Sequence, residues 1–356
     1  MNSEVGGTSS MDDHIRASRT IILGAGFSAA AGIPLTGTLL KAAMDIFARE
    51  CPGVFSRVDN YARECFQIPE ADVVDYSVVS LSELCTFLEY IELKEFGGGE
   101  RFKSSGSREK LCLKFYLAKA IMEATPTAES LPAMYLDFAR ELHETDFVLT
   151  FNWDPLLEIA LDSVGKTYTY NFDNSQCVKL CKLHGSVNWR LDDSELFKPA
   201  TRRLIWNPVG FSGGMLETEI YHSPQLLQKA PWVSHSPLSE IEPFLVLPGY
   251  GKAFDVRSNA VLWYKPEWAF AFTHDVFIIG LSLAPDDFFI RSFFLSNLPH
   301  LESYSGVPGR RIHIVNPDRS ALGNYEFVLS SGLAVLHQEP FSSKHIALMR
   351  HHRVAA

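Results

Sequence analysis

Six short runs along the chain are rich in Ile, Val, Leu and Phe: RTIILG (19–24), DFVLTF (146–151), VKLCKLHG (178–185), PFLVLPG (243–249), DVFIIGLS (275–282) and RIHIVNP (311–317). Their nearly continuous apolar character predicts parallel strands covered on both faces. Helical spacing of apolar residues fills 34–50, 108–123, 130–143, 155–163 and 257–273. Strands and helices that alternate in this way predict an α/β fold, a parallel sheet flanked by helices.

The spacing is uneven. More than a hundred residues part the first run from the second. Residues 51–145 read mostly as helix, as in LSELCTFLEYIEL and REKLCLKFYLAKAIMEA, broken by the Gly/Ser-rich charged loop EFGGGERFKSSGSRE (95–109). This stretch is expected to be a helical module inserted into the α/β core. Residues 190–242, rich in Pro, Ser, His and Trp, are expected to form an elaborated loop region. Residues 1–17 are polar, without an apolar core, and read as a flexible N-terminus rather than a signal peptide or anchor.

Composition narrows the function. The chain has 356 residues and a formal net charge of −10. Length alone suggests about two domains and a sizeable core. The acidic balance argues against a broad nucleic-acid face, which needs clustered Lys and Arg. The basic runs, Arg202-Arg203, Arg310-Arg311 and the tail MRHHRVAA, are short and read as solvated surface charge. No apolar run approaches the ~18 residues of a membrane span. Six scattered cysteines suit reduced thiols in a cytoplasm. Cys177 and Cys181 lie four apart and His184 could join them, but a closed zinc site wants four ligands and no second pair follows. No metal is expected.

The first strand runs into TIILGAGFSAAAGIP. Gly24, Gly26 and Ala29 fit G-x-G-x-x-G/A between a strand and a helix, and Pro34 suits a first helical turn. Such a turn lets backbone approach a pyrophosphate and offers N–H groups to negative charge, with Ser28 as a further donor. A ligand-free βα turn fits the same letters. A hydride-transfer domain is disfavoured, because the position for its acidic second-strand residue falls in AAMDIFARECPG, where Asp45 sits in a helical pattern. Asn152 and Asp154 follow the strand at 146–151, and His184 ends the strand at 178–183. Ligands of open α/β sheets sit at such strand ends. The Asn/Asp pair could equally cap the next helix, and His184 could be a satisfied core histidine.

Taken in order, GAGFSAAAGIP, FNWD, LHGS, GLSLAPDD and VNPD resemble the sirtuin superfamily, and more closely its sirtuin-like NAD-hydrolase branch in bacterial anti-phage defence. The resemblance spans 19–40 and 146–320 by motif and leaves the helical insertion and 190–242 uncovered. It implies a Rossmann-like NAD-binding domain over 18–356, with NAD as substrate. It implies that Gly24, Ala25, Gly26 and Ser28 hold the phosphates and that Ile33 and Pro34 border the nicotinamide pocket. Asn152 would contact the nicotinamide ribose, Asp154 the carboxamide end, and His184 would be the catalytic histidine. Gly280, Ser282 and Asn316 would hold the adenosine half. The family's deacetylases carry zinc cysteines after the His-Gly motif, whereas no cysteine follows Gly185, and Leu35-Thr36 stands in place of their Phe-Arg.

Hydrolysis of NAD to nicotinamide and ADP-ribose follows as the expected reaction. An activity that depletes NAD implies control by homo-oligomer assembly or by a partner, for which related defence systems suggest a HerA-type ATPase. Two further readings stay open. One is a sensor or assembly module that holds NAD or ADP-ribose uncleaved; the other is a zinc-free deacylase or ADP-ribosyltransferase.

Overall fold

The computed structural model describes residues 19–93, 107–170, 176–191, 243–252, 273–303, 311–326 and 333–354, with short pieces between 204 and 222, between 262 and 270, and at 328–329. The expected flexible N-terminus, most of the loop at 95–109 and most of 190–242 lie outside the described residues.

Seven strands form the main sheet in the order β12-β11-β10-β1-β2-β4-β3, all parallel. They are β1 (Arg19–Leu23), β2 (Phe147–Thr150), β3 (Tyr168–Thr169), β4 (Val178–Lys182), β10 (Asp275–Ile279), β11 (Arg311–Val315) and β12 (Ala334–His337). Side chains alternate faces along a strand, and the core divides accordingly. Ile21, Leu23, Val148, Leu180, Phe277 and Ile279 share one cluster, while Ile22, Leu149, Cys181, Val276 and Ile278 share the other. Each face is covered by helices, so a strand such as RTIIL is apolar on both sides.

Between β1 and β2 the chain forms α1 (Thr36–Glu50), α2 (Pro52–Phe66), α3 (Leu81–Leu93), α4 (Ser107–Ala124) and α5 (Ala133–Glu141). α1 buries Leu39, Leu40, Ala43, Met44, Ile46 and Phe47, the three- and four-residue spacing of one face. Phe47 stacks on Tyr116 of α4 with centroids 4.4 Å apart. Pro52 opens α2 where a missing N–H costs nothing, and Gln67, at φ +54°, closes it. These helices share one continuous apolar cluster with the sheet. α6 (Leu156–Ser163), α7 (Phe288–Ser303), α8 (Arg319–Gly323) and α9 (Ser343–Val354) complete the flanking layers.

Three expectations need correction. The run at 243–249 is not a parallel strand: β9 (Pro243–Leu245) pairs antiparallel with β5 (Gly185–Leu191) in a separate three-stranded sheet with β8 (Ile220–His222). The run at 178–185 is two strands, because the chain turns at Leu183-His184 and Gly185 takes φ +75°. A side chain there would meet the Phe244 carbonyl oxygen at 2.1 Å, so only glycine allows β9 so close. The run at 275–282 ends as strand at Ile279, and Gly280 turns it at φ +67°. Strands β3, β8, β12, β6 (Leu204–Ile205) and β7 (Met215–Leu216) lie outside the six expected runs. Of the helix expected at 257–273, Leu262, Trp263, Ala269 and Phe270 are helical, and most of the rest lies outside the described residues. No helix among the described residues is long and apolar enough to cross a membrane.

Arg19, at the start of the central strand, is 2 % exposed. Its guanidinium holds Asp146 at 3.0 and 2.5 Å, Glu141 at 3.3 Å and the Met349 carbonyl at 2.8 Å, tying β1 to the entry of β2, to α5 and to α9. Buried charges cost stability unless paired, and removing one partner strands the others. Arg19→Met is expected to cost about 3–5 kcal/mol in urea unfolding. A loss below about 1 kcal/mol would show that these carboxylates reach water without the arginine.

Candidate functional site

From β1 the chain builds β2, β4 and β3 to one side, then returns to lay β10 against the other side of β1 and builds outward to β11 and β12. The connections diverge between β1 and β10, the switch point outside whose carboxyl ends open α/β sheets place ligands. Every residue singled out for chemistry sits along this edge. Gly24 to Ser28 follow β1, Asn152 and Asp154 follow β2, and His184 follows β4. Gly280 and Ser282 follow β10, and Asn316 follows β11.

At the switch point, backbone packs on backbone. Gly24 N–H donates to the Ile279 carbonyl at 2.9 Å and Gly26 N–H to the Gly280 carbonyl at 2.8 Å. A Cβ on Gly24 would lie 2.5 Å from Leu281 Cα, and one on Gly280 would lie 2.2 Å from Phe27 N. The glycines are therefore required by their mutual approach. Phe27 N–H also bonds within the turn, to the Gly24 carbonyl at 2.9 Å. Three of the N–H groups that could face an anion are thus used inside the chain, and Ala25 opens the helical turn 25–28 beside them.

Ser28, Asn152 and Asp154 form one buried network. Ser28 Oγ donates to Asp154 Oδ2 at 2.8 Å, so a phosphate bonded by Ser28 would have to replace that bond. Asn152 Nδ2 donates to the Gly24 carbonyl at 3.0 Å and to Ser28 Oγ at 3.2 Å. With both amide hydrogens committed, Asn152 has its Oδ1 left as an acceptor. Asp154 Oδ1 accepts from Leu156 N–H at 3.1 Å, an Asx turn that leads through Pro155 into α6. The same residue thus braces the glycine turn and shapes the entry to a helix. Burial pushes its carboxyl up from the ordinary range, while the nearby Lys182 and the Ser28 hydroxyl pull the other way. Lys182 itself is fully buried and donates to Glu158 at 2.8 Å and to the Asp154 carbonyl at 2.7 Å.

His184 lies in an aromatic wall. Phe151 meets it edge-on with centroids 5.0 Å apart, and Trp263 stands at 6.0 Å. Its carbonyl accepts from Val246 N–H at 2.9 Å, which fixes the backbone. Its Nε2 is buried and has no hydrogen-bond partner among the described residues. Burial foremost, then the positive charge of Lys252, holds the imidazole well below its usual range, and a bond to the Phe151 backbone opposes them weakly. Among the described residues Nε2 is thus a buried ring nitrogen without a hydrogen-bond partner, in a ring whose burial favours the neutral form.

Sequence reading missed Lys252. It is 4 % exposed, pairs with Asp287 at 2.6 Å, and follows LPGYG without a motif to flag it. Asp287, within GLSLAPDD, was the nearest available signal. The loop that carries Lys252 is held from the helical side, where Glu89 of α3 accepts from Gly251 N–H at 2.7 Å. On the other flank, Asn316 Nδ2 and Tyr325 Oη donate to the Leu281 carbonyl at 3.2 and 3.0 Å, and Asn324 Nδ2 donates to the Ser282 carbonyl at 3.0 Å. Ile33 is buried in the core cluster that includes α1, and Pro34 is half-buried beside it. All six cysteines are free thiols, and Cys181 donates to the Leu262 carbonyl at 3.3 Å. Among the described residues, Cys177, Cys181 and His184 form no metal-binding group.

No family model matches the chain, and no curated protein matches it in sequence. Solved structures similar to it include a Sir2 homologue mutant in complex with ADP-ribose, at 15 % identity over 96 % of this chain and 95 % of that one, with a TM-score of 0.40. A Sir2 complex with a peptide and NAD+ follows at 14 % identity over 95 % and 94 % of the two chains, TM-score 0.41. A Sir2 structure solved for mechanism and regulation covers 97 % of this chain and 99 % of its own at 13 % identity, TM-score 0.40. The fold stands on the strand order above rather than on these scores.

Two outcomes are expected. Gly280→Ala combines a positive φ with a backbone clash and should cost about 2–4 kcal/mol; a chain as stable as the parent in urea would refute the close approach. His184, followed by its ring-proton NMR shift, should titrate below about pH 6.5, the ordinary imidazole value. Because the fold holds the neutral ring, the unfolded chain binds the proton first on acidification. The stability His184 contributes is therefore complete above that pH and declines as pH falls toward the folded value. Lys252→Met should move the titration upward; a midpoint at or above the ordinary value in the parent would overturn the electrostatic account.

Proposed function

We propose that the chain is an NAD glycohydrolase, cleaving NAD to nicotinamide and ADP-ribose. The observation that carries this reading is His184: a neutral, buried imidazole with an uncommitted Nε2, on the same strand-end edge as the glycine turn. The motif order described above supplies the nucleotide. The glycine turn and residues 280–282 offer a backbone-lined crevice for its phosphates and adenosine half, and Ile33 and Pro34 lie on the flank assigned to nicotinamide.

The reaction breaks the bond between nicotinamide nitrogen and ribose C1′ and forms a bond from that carbon to water oxygen. The ribose passes through oxocarbenium character, as in other glycosidic cleavages. Pyridinium nitrogen takes the bonding electrons and leaves neutral, so no general acid is required. One base suffices. His184 Nε2 accepts the proton of the attacking water or of a ribose hydroxyl, and Asn152 Oδ1 accepts a hydrogen bond that orients the same group. Asp154 acts through Ser28, fixing the turn against which Asn152 is set. Phe151 and Trp263 keep bulk water from the base.

An activity that drains NAD suits an effector of anti-phage defence and calls for control through self-assembly or a partner such as a HerA-type ATPase. The helical segment is placed for that, since Glu89 of α3 grips the loop bearing Lys252, and Val73, Val78 and Tyr90 are exposed on the same segment.

The test incubates the full chain with NAD and follows nicotinamide and ADP-ribose by chromatography. Release is expected in the parent. His184→Ala and Asn152→Ala should each lower the rate by about 100-fold or more. The acid limb of kcat/KM should lie below the ordinary imidazole range, because the neutral ring persists to lower pH. NAD binding without release in any state would replace the enzyme with a sensor. A full rate in His184→Ala would remove the assigned base.

A further inference from the structure

The carboxyl end of β12 carries a group that the proposed reaction does not use. His337 ends the strand, Glu339 follows two residues later, and His345 lies in the first turn of α9. One ligand atom from each lies within 4.8 Å of the others, and this is the only such group among the described residues. His345 is 1 % exposed, and its Nε2 has no hydrogen-bond partner, although Glu339 Oε1 stands 3.5 Å away. A buried ring nitrogen left without a partner is costly.

We propose that His337, Glu339 and His345 form a three-ligand site for a divalent transition-metal ion of the zinc class, with water as fourth ligand. Two imidazoles and a carboxylate form a borderline donor set that suits zinc and not magnesium or calcium, which prefer oxygen. The surroundings fit. His337 Nε2 shares a hydrogen bond with His313 Nδ1 at 3.2 Å; when that bond is donated by His337, its Nδ1 lone pair is left for an ion. In the ion-free chain Ser342 N–H donates to His345 Nδ1 at 3.1 Å, which puts the ring proton on Nε2. An ion at Nε2 moves that proton to Nδ1, which gives up the bond from Ser342 N–H and donates instead to Ser342 Oγ, 3.2 Å away. Burial lowers both imidazoles, which favours the neutral form a metal requires, and the bond from Lys344 foremost lowers Glu339. Lys344, 70 % exposed, now lies 2.6 Å from Glu339 and can swing into water as the ion replaces it.

The site is connected to the candidate active edge. The His337 carbonyl accepts from Asn316 N–H at 3.1 Å. Phe341, between the ligands in sequence, packs 5.3 Å from Phe27 of the glycine turn and 5.9 Å from His345. An ion therefore pins both ends of a segment that backs the turn.

The experiment titrates zinc chloride into chelator-treated full chain by calorimetry and repeats the titration with cobalt(II) under visible absorption. One ion per chain is expected, with a cobalt spectrum of nitrogen and oxygen ligands and a Tm raised by a few degrees. Glu339→Gln, which keeps the shape of an exposed side chain, should weaken binding at least about tenfold and abolish the Tm shift. His345→Ala should do the same where it folds. Absence of saturable binding in the micromolar range, affinity unchanged in Glu339→Gln, or thiolate bands marking the cysteines would each overturn the site.

Discussion

The whole active edge hangs on one steric constraint, the contact of the β1 turn with the β10 turn. Gly24, Gly26 and Gly280 bring two backbones together so closely that any Cβ would enter the other chain. That approach closes the switch point of the sheet, and the ends of β1, β2, β4, β10 and β11 lie along one edge. It also consumes the N–H groups of Gly24 and Gly26, while that of Phe27 is used within its own turn. Here a glycine motif serves packing first, and whatever affinity for phosphate it has comes from the shape of the crevice and the start of the following helical turn.

Charge is buried where elements must be held in register. Arg19 anchors the lower end of β1 to Asp146 and Glu141. Lys182 and Glu158 join β4 to α6 at the upper end, beneath Asp154. Lys252 and Asp287 join the loop after β9 to the entry of α7. Such pairs add little net stability over apolar residues of equal size, but they penalise any arrangement that separates them. Two of the three pairs stand beside groups assigned to chemistry, so one construction holds position and sets the local potential. His184 shows the result: burial and the charge of Lys252 both favour its neutral form, and its Nε2 has no partner among the described residues.

What could be read from the sequence follows the strength of the burial signal. The runs that became β1, β2, β4, β10 and β11 are apolar on both faces, and such runs stand out from any background. β12 was missed because AVLH is half exposed at the sheet edge, and β3 because two residues make no pattern. PFLVLPG has the same composition as the parallel strands; what turns it antiparallel is the positive φ of Gly185, a long-range fit to Phe244 that no local pattern records. The position of Asn152, Asp154 and His184 just after strands was legible because the apolar runs end there. The bonds that join Ser28 to Asp154 across 126 positions were not. Lys252 and the His337–Glu339–His345 group carry no motif at all, since their partners come together only through the order of the strands.

That order also bears on how the chain could be controlled. His184 and Asn152 follow strands of one half of the sheet, β4 and β2, while Gly280 and Asn316 follow strands of the other, β10 and β11. β1 joins the halves, pairing in parallel with β10 on one side and β2 on the other, and beyond the strand ends the glycine contact closes them. Phe27, on the β1 side of that contact, is packed by Phe138 of α5 and by Phe341 ahead of α9, with centroids 5.0 and 5.3 Å away. Tyr135 reinforces it by donating to the Phe27 carbonyl at 2.7 Å. A shift of either helix is therefore delivered to the turn with little slack, because close-packed rings transmit displacement rather than absorb it. Helix α5 and the segment ahead of α9 both pack on this aromatic residue, so a shift of either reaches the same turn.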